Sequence, residues 1–157
     1  MTDVASSTVG DREVTITRVF DAPRELVWRA WTEPEHFSQW FGGGHPMTVP
    51  LSGVSMDVRP GGAWNATMVN ADDGSELPFR GTYREVVAPE RLVLTFADVQ
   101  DAQNTNVEVL TVTFTDVGGK TEVVAHQAGN MPQEQYPRLA DGYGKFFDAL
   151  AEHLAQI

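Results

Sequence analysis

Cysteine is absent from this chain, which excludes disulfides, thiolate zinc sites and thiol nucleophiles together. Lysine is nearly absent as well, represented only by Lys120 and Lys145. Binding nucleic acid means neutralising phosphates with basic side chains, and a net charge of −11 works against that. Nucleic acid and anionic membranes are therefore poor partners, and the charge reads as solubility. No apolar run approaches the ~20 residues of a membrane-spanning helix, so no membrane insertion is expected. The opening residues, MTDVASSTVGDRE, have neither a basic region nor the apolar stretch of a secretory signal. A cytoplasmic location fits these absences.

Short catalytic and cofactor motifs are missing too. There is no GxSxG, and Gly42-Gly43-Gly44 lacks the Lys-Ser/Thr that would make it a phosphate loop. Gly142-Tyr143-Gly144 lies in a helical stretch and not after a strand. His36, His45, His126 and His153 show no HxxxH or HxH spacing, so a metal site has no support. The sequence calls for no cofactor and offers no nucleophile motif.

What is present is periodicity. The 157 residues suit one domain with a single core, read here as residues 11–157 behind a mobile tail at 1–10. Val14, Ile16 and Phe20 alternate with threonines in a first strand at 12–20, where Arg18 breaks the pattern by sharing the apolar parity. Two short helices follow. The first, at about 23–31, starts at Pro23 and gathers Val27, Ala30 and Trp31 on one face. Thr32-Glu33-Pro34-Glu35 has the form of a capping box and predicts Thr32 as the N-cap of the second, at about 33–41.

From residue 47 the period changes to two. Strands are predicted around 54–58, 64–68, 79–87, 92–96, 110–115 and 121–127, joined by Pro-Gly and Gly-Gly turns, with a polar loop at 98–106. Leu139, Tyr143, Phe146, Phe147, Leu150, Leu154 and Ile157 then fall in steps of three and four, the stripe of a long final helix. Consecutive antiparallel strands with helices kept to the two ends make an α+β fold.

The order strand, two helices, six strands, long helix is that of the helix-grip fold. The stretches TRVFDAPRELVWRAWTEPEHFSQWF (17–41), DVRPGGAW (57–64), GTYREVVAPERLVLTF (81–96) and DGYGKFFDALAEHL (141–154) resemble the START-like, SRPBCC superfamily. Within it they are most similar to the small bacterial branch related to the C-terminal domain of the Aha-type activator of the heat-shock chaperone ATPase. The resemblance runs from about residue 12 to 157. It implies a curved sheet of about seven strands gripping the last helix, with an apolar cavity between them. Members of this branch often carry Trp and Pro where this chain has Phe41 and Gly43, and Gly-Trp where it has Gly142-Tyr143. The superfamily includes lipid and aromatic-metabolite binders, polyketide cyclases and chaperone assistants, so the resemblance implies no single reaction.

Candidate site residues follow. Phe37, Trp40, Phe41, Trp64, Met68 and Phe96 line a pocket or are simply core, as do Tyr83, Tyr143, Phe146 and Phe147; periodicity alone does not separate the two. Trp40 and Phe41 precede a triple-glycine loop that could serve as a lid. Strict alternation puts Glu85 on the face of Phe79 and Tyr83, as a general base, a polar anchor, or a strand-end residue reaching solvent. His126 is either an acid or base at the pocket or a structural histidine. Gly142 and Gly144 inside the last helix mean either close packing on the sheet or a loose segment that admits a ligand. The leading expectation is a binder of a small apolar or aromatic ligand. The alternatives are turnover of a hydrophobic metabolite by Glu85 and His126, and stimulation of a chaperone ATPase as a protein partner.

Overall fold

Backbone pairing begins earlier than the apolar pattern does. The computed structural model describes residues 5–44, 46–97 and 107–157. Ala5–Gly10 (β1) pairs antiparallel with Glu13–Phe20 (β2), closing at Gly10 opposite Glu13. Residues 5–10, expected in the mobile tail, are thus an edge strand. Residues 6–9 are exposed, so the strand rests on backbone hydrogen bonds and needs no alternating side chains to declare it.

Arg24–Thr32 (α1) and Pro34–Trp40 (α2) follow. The predicted capping box does not form. Thr32 is the last residue of α1, and its Oγ1 donates to the Trp28 carbonyl at 2.9 Å. Glu33 takes the N-cap position of α2, and Pro34 occupies the first turn, where a missing N–H is harmless. The short strand Met47–Thr48 (β3), a 3-10 turn at Leu51–Gly53 and Val54–Met56 (β4) lead into Ala63–Asn70 (β5). Then come Glu76–Val87 (β6), Arg91–Ala97 (β7), Val107–Val117 (β8) and Lys120–Ala128 (β9). The polar loop expected at 98–106 lies outside the described residues. Gly118 and Gly119, at φ 69° and 89°, make the two-residue turn between Val117 and Lys120, a conformation that favours glycine at both positions. The helix Gln135–Gln156 (α3) ends the chain.

The strands form one curved antiparallel sheet in the order β1-β2-β9-β8-β7-β6-β5-β3, with β4 paired to β5. This is the α+β helix-grip arrangement. Among the described residues nine strands stand where about seven were expected, the additions being β1 and the two-residue β3.

Helix α3 buries Tyr136, Tyr143, Phe147, Leu150 and Leu154. Pro137 falls in its first turn and does not break it, so the helix starts four residues before the apolar stripe does. Phe147 meets Phe20 of β2 edge-on at 5.6 Å. Arg18, the break in the β2 pattern, reaches inward to ion-pair with Asp148 of α3, its guanidinium 5.5 Å from the Phe20 ring. Trp28 and Trp31 of α1 pack on Phe114 of β8, and the Trp40 indole N–H donates to the Ala30 carbonyl at 2.8 Å, fastening α2 to α1.

One seam in the sheet is irregular. Between Arg80 opposite Ala97 and Tyr83 opposite Leu94, regular β6–β7 pairing lapses. There the Thr95 carbonyl accepts from the Trp64 indole N–H at 3.0 Å, while the Thr95 hydroxyl accepts from the Thr82 N–H at 3.0 Å. A Cβ on Gly81 would sit 1.6 Å from that carbonyl, so only glycine lets the ring and the carbonyl meet.

Candidate functional site

A cavity of about 420 Å³ lies between the sheet, α2 and α3. Phe37 and Trp40 of α2 and Phe41 just after it form one wall, and Trp64, Phe79, Leu94, Phe96 and Leu110 come from the sheet. Leu139, Gly142, Tyr143 and Phe146 of α3 close it from the other side. The exposed lining residues are Leu77 and Pro78 of β6 with Pro132 and Gln135 near the start of α3, which marks the mouth. Phe41 is the central ring: it stacks on Phe37 at 4.6 Å and meets Phe146 at 5.1 Å and Phe79 at 5.6 Å edge-on. The loop Gly42–Gly44, considered as a lid, contributes no lining residue. A Cβ on Gly43 would come within 3.2 Å of Lys145 and Phe146, so the loop rests against α3.

Of the residues singled out in the sequence, Phe37, Trp40, Phe41, Trp64, Phe96, Tyr143 and Phe146 meet at the cavity. Met68, Tyr83 and Phe147 are buried but do not line it. Burial, with the Asp57 charge second, pushes the Tyr83 hydroxyl well above its ordinary range.

Glu85 and His126 are corrections. A register shift between Tyr83 and Glu85 inserts Arg84 as an extra residue in β6, so the parity flips and Val86 takes the inward place. Glu85 points outward and pairs with Arg91 at 3.1 Å, both about half exposed. His126 lies between the inward Ala125 and Gln127 and faces out, 3.7 Å from Glu13. Neither lines the cavity, so the acid–base pair weighed as an alternative is not brought together there.

The polar chemistry of the cavity comes from residues that the sequence reading passed over. Glu108 is on the inward parity of β8 with Leu110, Val112 and Phe114, and is 6% exposed. It accepts from the Gln127 side-chain amide at 3.1 Å, from the Asn130 N–H at 2.8 Å, and from the Tyr136 hydroxyl at 3.1 and 3.2 Å. The Tyr143 hydroxyl donates in turn to Gln127 Oε1. This fixes the amide, whose nitrogen faces the carboxylate and whose oxygen faces the phenol. Burial first, and the Glu108 charge second, hold the Tyr143 hydroxyl protonated far above its ordinary value. Tyr136 is raised by burial, then by its hydrogen bond to Glu108. Both phenols therefore stay donors. Trp31 also lines the cavity, and its indole N–H has no hydrogen-bond partner among the described residues.

A parity count from Leu110 back to Glu108, and from Ala125 on to Gln127, was the available signal. The apolar alternation that begins at Leu110 conceals the first, and the polar neighbour His126 conceals the second.

Neither glycine of α3 packs closely on the sheet. A Cβ at Gly142 or Gly144 meets nothing within 4 Å, and at Gly142 the open space is the cavity. Among the described residues no three His, Asp or Glu side chains gather to hold a metal ion, and no helix is long and apolar enough to cross a membrane.

Comparison with known proteins places this architecture. A protein from Nitrosomonas europaea is 25% identical with a TM-score of 0.79, over 95% of this chain and 97% of that one. A Rhodobacter sphaeroides protein is 16% identical with a TM-score of 0.81, over 98% and 99%. An AHSA1-like protein from Aeromonas hydrophila is 21% identical with a TM-score of 0.71, over 90% and 92%. No curated protein matches. The family model described as Activator of Hsp90 ATPase homolog 1-like protein matches residues 21–155, and the chain belongs to that family.

Proposed function

We propose that the protein binds a small apolar or aromatic molecule in the cavity between sheet and α3. The observation that carries this reading is the cavity itself: about 420 Å³, walled by aromatic rings, with a few polar groups at one end. Ligand sites commonly measure about 300–1,000 Å³ and combine apolar walls with a few placed polar groups. Burial of the ligand's apolar surface supplies affinity at roughly 25 cal/mol per Å². The Glu108–Gln127–Tyr143 network supplies orientation.

Two glycine features support the same reading. Gly142 leaves room where a larger side chain on α3 would enter the cavity. Glycine there also weakens the helix by about 1 kcal/mol relative to alanine, a loss that packing against the sheet does not repay.

The test is titration with N-phenylnaphthylamine, whose fluorescence rises in apolar surroundings. Wild type is expected to give saturable, one-to-one binding. Gly142→Phe, which places a ring in the cavity, is expected to abolish it while the circular dichroism spectrum is unchanged. Non-saturable binding, or equal binding by the folded plugged variant, refutes the reading.

A further inference from the structure

Among the described residues, the carboxyl group at the cavity's polar end has no cation beside it. Among the described residues Glu108 is met by three neutral donors, the Gln127 amide, the Asn130 N–H and the Tyr136 hydroxyl, and forms no ion pair. Tyr136 has one hydroxyl proton to share between two oxygens, so three protons serve about four lone-pair positions. The proton of Tyr143 is committed to Gln127, which leaves only lone pairs on its oxygen for a ligand. The carboxylate is already out of water, so its desolvation was met when the chain folded.

We propose that the cavity selects aromatic or apolar molecules that carry a protonated amine, with Glu108 as counter-charge, and that it discriminates against carboxylates. This rests on the binding role proposed above. An ammonium brings the positive charge and the extra donor that Glu108 lacks, and aromatic walls attract cations through the negative faces of their rings. A carboxylate head meets the like charge of Glu108 in a site poorly screened by water. The donors left to answer it, the Trp31 indole and the amides of Gln127 and Gln135, are all neutral. An alcohol falls between the two, able to donate but uncharged.

Calorimetric titration at neutral pH with four naphthalene probes tests this: methylnaphthalene, naphthylmethanol, naphthylmethylamine and naphthoate. The amine is expected to bind about tenfold or more tighter than the alcohol, and naphthoate about tenfold or more weaker. Glu108→Gln keeps the shape and removes the charge, and is expected to bring amine and alcohol within about threefold of each other. Equal binding of amine and alcohol by wild type, or tightest binding of naphthoate, overturns the proposal. If methylnaphthalene binds while the amine has no advantage, this proposal fails and the apolar-binding reading stands. If none of the four binds, both fail. Should Glu108→Gln not fold, the wild-type order alone decides.

Discussion

Glu108 fills the space that a side chain on residue 129 would need: a Cβ on Gly129 would lie 1.6 Å from its Oε2. The carboxylate is held in that place by Asn130, Gln127 and Tyr136 and cannot swing aside without leaving them. Gly129→Ala is therefore expected to expel it from its bonds. The loss is about 1–3 kcal/mol, or roughly 5 °C in Tm for a chain of this size. In a Glu108→Ala background the same substitution is expected to cost little. Thermal melts of the two single variants and the double variant check the coupling, and additive losses would contradict it.

Glu85→Gln and His126→Ala act at the outer surface. Each is expected to change stability by under about 0.5 kcal/mol. N-phenylnaphthylamine affinity is expected to be unaltered in both. A weakened affinity in either variant would return that residue to the site.

His36 and His153 join α2 to α3 through a contact of 3.0 Å between His36 Nδ1 and His153 Nε2, with Glu33 3.7 Å from the far side of His36. Burial first, and the His36 charge second, hold His153 below the ordinary histidine value of 6.5. The unfolded chain thus takes up this proton at a higher pH than the folded protein does. Above about pH 6.5 His153 is neutral in both states and adds no pH dependence. As the pH falls below that value the unfolded state gains its proton first, and stability declines until folded His153 also protonates. His153→Gln is expected to flatten this part of the Tm-versus-pH curve relative to wild type; superimposable slopes would exclude the mechanism.

Gly142→Ala adds a methyl group to an interior helical position where no atom lies within 4 Å. It is expected to raise stability by about 1 kcal/mol, seen as a rise of about 2–4 °C in Tm. A fall in Tm would mean that the backbone there needs glycine for a reason other than space.

Much of the fold was legible because burial leaves a period. Val14 and Ile16 in β2, Leu110 and Val112 in β8, and the α3 stripe through Phe147 and Leu150 all mark buried faces. The edge strand β1 left no such mark, since the side chains of residues 6–9 face water. The rings of the cavity wall, from Phe37 to Phe146, were visible as apolar positions, but a period does not divide wall from core. The cavity's polar end was not visible. Glu85 was drawn inward by counting in twos through a bulge, and a bulge is set by pairing with β7, which a single strand's sequence does not record. Glu108 and Gln127 were legible in principle from parity alone. They were missed because a buried carboxylate makes sense only once Asn130, Tyr136 and the glycine at 129 are seen around it. The capping box at Thr32 failed for a similar reason: its hydroxyl had a nearer carbonyl, that of Trp28, within its own helix.

At the seam between β6 and β7, an indole and a hydroxyl stand where backbone rungs belong. A backbone rung opens only when a strand moves, whereas a side chain lets go by turning about its own bonds. The Thr82 amide proton is thus guarded by one rotor, the Thr95 hydroxyl, while a second, the Trp64 indole, holds the Thr95 carbonyl. The Thr82 amide is therefore expected to exchange with solvent sooner than its neighbours in the ladder, without the strands on either side parting.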